Sequence, residues 1–120
     1  MLRYKYRGKE KTIGWVYGSL LYFGANEYAI HLRNAEGSLI VDPETVGQFT
    51  GLKDKNGVKI YEGDIIEHTI SGNISVHEVY FDNEMLEFGL RYSGELFHCQ
   101  FNDEFELIGN IHDNPELLNK

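Results

Sequence analysis

Leu2, Tyr4 and Tyr6 alternate with Arg3, Lys5 and Arg7, and the same two-residue period returns along most of the chain. Such alternation marks a strand with one dry and one wet face. Tyr28, Ile30 and Leu32 alternate with Ala29, His31 and Arg33; Ile66, His68 and Ile70 alternate with Glu67 and Thr69. Leu86, Phe88, Leu90 and Tyr92 repeat the pattern, as do Phe105, Leu107 and Gly109. Residues 13–17 and 20–23 read as strands broken at Gly18-Ser19, residues 39–41 as a short strand, and residues 96–101 as another. Residues 74–81 mix their faces, which predicts a strand partly buried on both sides or a bulge near His77-Glu78. Arg3, Lys5, Arg7, Lys9 and Lys11 make a basic N-terminal edge. Cations interleaved with tyrosine suit a nucleic-acid surface, but the favoured reading is an edge strand whose cations block pairing with another chain.

Turn residues separate these runs. Gly24-Ala25-Asn26-Glu27, Asn34-Ala35-Glu36-Gly37, Ser71-Gly72-Asn73, Asp82-Asn83-Glu84 and Ser93-Gly94-Glu95 all favour chain reversal. Two stretches depart from β patterning. Asp42-Pro43-Glu44-Thr45-Val46 has a cap, a first-turn proline and an acid, which predicts one helical turn ended by Gly47. Asn114-Pro115-Glu116-Leu117-Leu118 repeats that logic and predicts a short C-terminal helix, with both leucines docking on the body.

The middle of the chain has the densest punctuation. Asp54-Lys55-Asn56-Gly57 lies between residues 48–52 and 58–61, and Asn-Gly in that setting predicts a tight hairpin. Glu62-Gly63-Asp64 turns the chain again before Ile65-Ile66. Closely spaced strands and turns of this kind suit a sandwich or small barrel. The expected fold is mainly β: an N-terminal antiparallel sheet over residues 1–50, a central hairpin over 51–65, and a small SH3-like, partly open barrel over 66–120 with a short C-terminal helix, all within one domain of 120 residues.

Composition supports β structure: 13% of residues are aromatic, and 13 are glycine against 2 prolines. The net charge is −8 and unevenly spread. Residues 1–60 hold nine Lys or Arg and six Asp or Glu, whereas residues 61–120 hold two and thirteen. Such a chain repels phosphate, which argues against direct nucleic-acid binding. The asymmetry suits self-association through opposite charges, an acidic half that meets a basic partner, or a solvated surface. Cys99 is the only cysteine, which excludes an internal disulfide and suits a reducing cytoplasm. No apolar run has the length of a membrane span, and none follows Met1 as in a signal peptide.

Candidate chemistry is sparse. A calcium loop around Asp54, Asn56 and Gly57 fails on its ligand positions, because Leu52 or Val58 falls where an oxygen is needed. His68, His77, His98 and Cys99 would hold zinc only if three or four of them converged. Cys99 and His98 are strand neighbours on opposite faces, so neither can serve the other as nucleophile and base. No phosphate-binding glycine loop or nucleophile elbow is present. The carboxylate pairs Glu84 with Glu87 and Glu104 with Glu106 read as solvated groups.

The central run from Gln48 to Ile65, the closing run Phe105-Glu106-Leu107-Ile108-Gly109-Asn110-Ile111-His112-Asp113-Asn114-Pro115-Glu116-Leu117-Leu118, and the opening Tyr6-Arg7-Gly8-Lys9 with Gly14-Trp15-Val16-Tyr17-Gly18-Ser19-Leu20 resemble the YopX family over the whole chain. Residues 66–104 are the least characteristic stretch. The resemblance implies a small, soluble, mainly β protein encoded by bacteriophages and prophages; action in the host cytoplasm is the expectation that goes with it. It carries over no catalytic, cofactor-binding or metal residue. Thr50, Gly51, Leu52, Asp54, Asn56, Gly57, Tyr61, Gly63, Asp64, Gly109, Asn110, Asn114 and Pro115 are its structural signature. The expected function is that of a non-catalytic accessory protein binding a host or phage protein or itself. An alternative is an acidic module that occupies a basic nucleic-acid-binding surface on a host protein, which would require Asp82, Glu84, Glu87, Glu95, Asp103, Glu104 and Glu106 on one side. A small metal-dependent or hydrolytic enzyme would instead require a deep pocket with His68, His77 or His98 converging.

Overall fold

The computed structural model describes residues 5–32, 37–70, 72–84, 87–92, 95–97 and 105–118. It is almost wholly antiparallel β, as the alternation predicts. The strands are β1 (Tyr6–Glu10), β2 (Gly14–Gly24), β3 (Glu27–Leu32), β4 (Ser38–Lys53), β5 (Lys59–Tyr61), β6 (Asp64–Ile70), β7 (Asn73–Asp82), β8 (Glu87–Tyr92), β9 (Glu95–Phe97) and β10 (Phe105–Asn110). A 3₁₀ turn, Pro115–Leu118, follows where a short helix is expected. The chain divides into two compact units, Met1–Phe49 and Thr50–Lys120.

In the first unit the strands follow the order β1-β2-β3-β4, and β1 also pairs with β4, which closes a ring. Val16, Ile30 and Val41 fill it, with Tyr6, Leu20, Tyr28, Leu32, Leu39 and Val46 packed against them. Four strands leave little interior, and two glycines answer that constraint. A Cβ on Gly8 would lie 2.7 Å from Val41 Cγ2, and one on Gly18 would meet the His31 carbonyl oxygen. Gly18 therefore does not break the strand, as its position suggests. It permits close approach within one continuous β2, paired with Tyr6 on one side and Leu32 on the other.

Two further expectations fail in this unit. β1 is not an edge strand, since β2 and β4 flank it. Arg7 is buried at 5% exposure, with its guanidinium 4.6 Å from the Trp15 ring centroid, rather than lying on a wet cationic face. No helical turn forms at residues 42–46, because β4 runs through them. Arg7 pairs with Gly47 and Lys9 with Asp42, so residues 43–46 bulge out of the ladder. Pro43 falls there, where no N–H is required. Asp42 Oδ1 accepts the Glu44 N–H at 3.1 Å, and the Thr45 hydroxyl donates to the Asp42 carbonyl at 2.6 Å. The features that would cap a helix cap this bulge instead.

In the second unit the five-stranded order is β10-β6-β7-β8-β9, an open sheet among the described residues; ring closure belongs to the first unit. Ile66, Val79, Leu90 and Phe105 share one face and form the core with Ile60, against which Leu107 packs. β7 is partly buried on both faces, with Val79 fully buried on one and Tyr80 at 7% exposure on the other. The register from Ile65–Glu78 to Ile70–Asn73 is unbroken, so no bulge occurs at His77-Glu78. The irregularity lies between Leu107 and Gly109 on β10. The 3₁₀ turn packs on β7, and Leu117 Cδ1 comes within 3.0 Å of where a Gly109 Cβ would stand.

Several expected features lie outside the described residues: positions 2–4 of the first strand, the turn at 34–36, Ser71, Ser93-Gly94 and residues 98–101 of the late strand.

Replacing Gly18 with Ala forces a methyl group against a backbone carbonyl inside the ring. The expected cost is about 1–3 kcal/mol, read as a lower urea midpoint with an unchanged slope. An unchanged midpoint would show that the ring has room at this position.

Candidate functional site

The signature residues converge on a hydrogen-bond network in the second unit. Asp54 is its centre. The turn after β4 places its carboxylate so that Oδ1 accepts the N–H groups of Asn56 and Val58, both at 2.9 Å. Oδ2 accepts the Leu107 N–H, also at 2.9 Å, across 53 positions of sequence. The Lys55 N–H donates to the Phe105 carbonyl at 2.9 Å, so backbone and side chain bind the hairpin to β10 together. Gly57, at φ 82°, donates its N–H to the Asp54 carbonyl at 3.0 Å and closes the turn. Burial pushes the Asp54 carboxyl up, but the N–H groups of Leu107, Val58 and Asn56, with Lys55 beside them, outweigh it and hold it below the usual carboxylate range.

The other signature positions repeat the device. Asp64, 1% exposed, accepts the Tyr61 N–H at 2.7 Å, and Gly63 at φ 92° donates to the Val79 carbonyl at 2.8 Å. The Thr50 hydroxyl donates to the Ile60 carbonyl at 2.8 Å and accepts the Leu52 N–H at 3.1 Å. Asn110 Oδ1 accepts the His112 and Asp113 N–H groups at 3.0 and 2.9 Å. Asn114 Oδ1 accepts the Asn110 N–H at 3.3 Å, and Pro115 opens the 3₁₀ turn. Apart from Asn110 Nδ2, which donates to Asp113 Oδ2 at 3.3 Å, these side-chain bonds run to backbone, which is the chemistry of holding turns.

His68 and His77 share the core face of the second sheet, offset by two residues: His77 pairs with Ile66 and His68 with Ser75. The His68 ring lies 4.3 Å from that of Phe105. His77 is 5% exposed, and burial first, then the charge of His68, lowers its pKa below the usual imidazole value. His98 and Cys99 lie outside the described residues. Among the described residues no group of three or more His, Cys, Asp and Glu could hold a metal ion.

Two surfaces stand out. The tip of the β2–β3 hairpin exposes Leu21, Tyr22 and Phe23 at 37%, 62% and 59%. Consecutive strand residues point to opposite faces, so both sides of the tip are apolar. Ala25 and Asn26, at φ 50° and 61°, make the tight reversal, and Tyr22 and Tyr28 stack at 5.0 Å behind it. Residues 12–32 contain no Lys or Arg and one acid, Glu27. Ile40, 60% exposed, sits opposite Ala29, which in turn pairs with Leu21. Sequence periodicity gives Leu21 and Phe23 no such role; the available signal is a run of apolar residues that ignores the two-residue period.

The second surface is acidic. Glu106 pairs with Glu67, and Glu78 and Asp82 lie at the same parity on the neighbouring β7. Lys55 meets Glu106 at 3.2 Å and Arg91 meets Glu78 at 3.7 Å. Of the seven carboxylates expected on one side, Asp82 and Glu106 share this face, and Glu87 pairs with Asp82. Glu95 pairs with Tyr92 at the other parity, Glu84 is in an exposed turn, and Asp103 and Glu104 lie outside the described residues. Glu67 and Glu78 join the array only once the register is known.

The chain matches the family model for YopX protein over residues 5–119. No curated protein matches it. Among solved structures it resembles the crystal structure of protein EF1440 from Enterococcus faecalis, with 28% identity, a TM-score of 0.61, and 98% of this chain and 99% of that one covered. No helix among the described residues is long and apolar enough to cross a membrane.

Asp54→Ala leaves three backbone N–H groups without their acceptor and is expected to cost at least about 2 kcal/mol in a urea titration. Because the folded carboxyl lies below its unfolded value, this contribution is complete above about pH 4 and is lost as pH falls through the folded pKa. The difference between wild type and variant should therefore shrink only in that acid range. His77 acts in the same direction, but nearer neutrality. Its folded pKa is lowered, so stability is greatest above about pH 6.5 and falls as the unfolded imidazole gains its proton. His77→Gln should flatten the drop in urea midpoint measured between neutral and mildly acid buffer.

Proposed function

We propose, from the premise that this chain belongs to the YopX protein family, that it is a phage or prophage accessory protein acting in the host cytoplasm by binding another protein or itself, without catalysis. The observation that carries the reading is the apolar hairpin tip. Leu21, Tyr22 and Phe23 are solvated at 37%, 62% and 59% on both faces of one strand end. Consecutive exposed apolar residues favour aggregation unless a partner covers them. Aromatic side chains on a rigid turn suit a binding anchor, since they offer large area for few rotatable bonds. The absence of Lys and Arg from residues 12–32 makes the tip a poor match for phosphate or an anionic lipid surface and a good one for an apolar groove on a protein.

A second reading rests on the acidic face. Glu67 and Glu106 stand directly opposite each other, a pairing that costs stability in a sheet. With Glu78 and Asp82 at the same parity, the face would suit a basic protein surface of the kind that binds nucleic acid.

A photo-crosslinking residue at position 22 separates the two readings in the expressing cell. Binding through the tip predicts an adduct with a protein, whether a second copy or another chain, that Leu21→Ser with Phe23→Ser abolishes while the circular dichroism stays native. A folded protein that gives no adduct from the tip contradicts the first reading. An adduct from position 67 that Glu106→Lys removes would then support the second.

A further inference from the structure

We propose that Asn56 is a latent site of spontaneous backbone modification, kept inert by the hydrogen bonds to Asp54. Asn-Gly is the dipeptide best disposed to cyclise, since glycine has no Cβ to block its own nitrogen. Asn56 and Gly57 are both exposed, and nothing lies within 4 Å of where a Gly57 Cβ would stand. Water and base therefore reach the turn freely, and protection must come from its hydrogen bonds.

Cyclisation requires the Gly57 backbone nitrogen to lose its proton and attack Asn56 Cγ. The new N–Cγ bond forms as the Cγ–Nδ2 bond breaks, and Nδ2 departs as ammonia with the proton that Gly57 gave up. Water then opens the cyclic imide at either carbonyl, leaving aspartate or isoaspartate at position 56. Water is the only co-reactant.

The fold opposes the first step. The Gly57 N–H is donated to the Asp54 carbonyl at 3.0 Å, which disfavours its deprotonation. The N–H groups on either side, of Asn56 and Val58, are both fixed to Asp54 Oδ1 at 2.9 Å. The Asn56 backbone is thus held at both ends and cannot rotate to bring Cγ onto the Gly57 nitrogen. The product would disrupt what protects it. Isoaspartate routes the main chain through an extra methylene and moves Val58 away from Asp54, and either product sets a second carboxylate beside the first. Opening of this hairpin would then become irreversible with time.

The test is incubation of the whole protein in mildly alkaline buffer, followed by trypsin and mass spectrometry of residues 56–59, released by cleavage after Lys55 and Lys59. The readout is the mass gain from exchange of –NH₂ for –OH, with isoaspartate resolved by chromatography. The expected rate in native buffer is at least about tenfold below that of the same chain in urea, the factor that one or two retained hydrogen bonds carry. Asp54→Ala, if folded by circular dichroism, should raise the native rate toward the urea rate. Equal rates for wild type in native buffer and urea, or a folded Asp54→Ala no faster than wild type, would overturn the proposal.

Discussion

One carboxylate fixes the local geometry of the second unit. Asp54 follows β4, shapes the turn into β5 and receives the Leu107 N–H of β10, so three pieces of backbone meet on two oxygen atoms. The group is buried, which disfavours its charge, yet three N–H donors more than compensate. A neutral side chain of the same size could not match this, because charge-assisted bonds are roughly twice as strong as neutral ones. The residue also bridges a wide sequence separation, so the order of β10 depends on a turn formed 53 residues earlier. Asp64 and Asn110 extend the same principle: the sheet's corners are held by short polar side chains that accept backbone N–H groups.

The first unit is governed by space instead. A ring of four strands brings backbones close, and Gly8 and Gly18 are what make the approach possible. Its buried cation, Arg7, lies against the face of Trp15. The β2–β3 hairpin carries apolar residues onto both of its faces beyond the packed interior, and the proposed binding role rests on that tip.

Much of this was legible from residue order. Alternating patterning and Asn-Gly chemistry identify the strands and the central hairpin. The same residues mislead where one motif serves two conformations: Asp42-Pro43 caps a bulge with the hydrogen bonds that would cap a helix. Arg7 alternates like a solvated cation, and only the pairing of β1 on both sides buries it. Ring closure through β1 and β4, like the convergence of Glu67 with Glu106, is a matter of register, which local sequence does not encode. The signature residues were readable as turn formers, but their joint attachment to β10 was not, since nothing near Asp54 points to Leu107.

The family relationship and the exposed tip together favour a protein that works by contact, on a scaffold whose conspicuous polar residues are occupied in building it. That division between scaffold and surface rests on Asp54 being an ionised, fully engaged structural carboxylate. The direct measurement is its titration in the folded protein, followed by the carbon-13 shift of its carboxyl group. The expected midpoint lies clearly below the ordinary aspartate value of about 3.9, with the Leu107 amide resonance moving at the same pH. A midpoint at or above that value, or a Leu107 amide indifferent to it, would contradict the account.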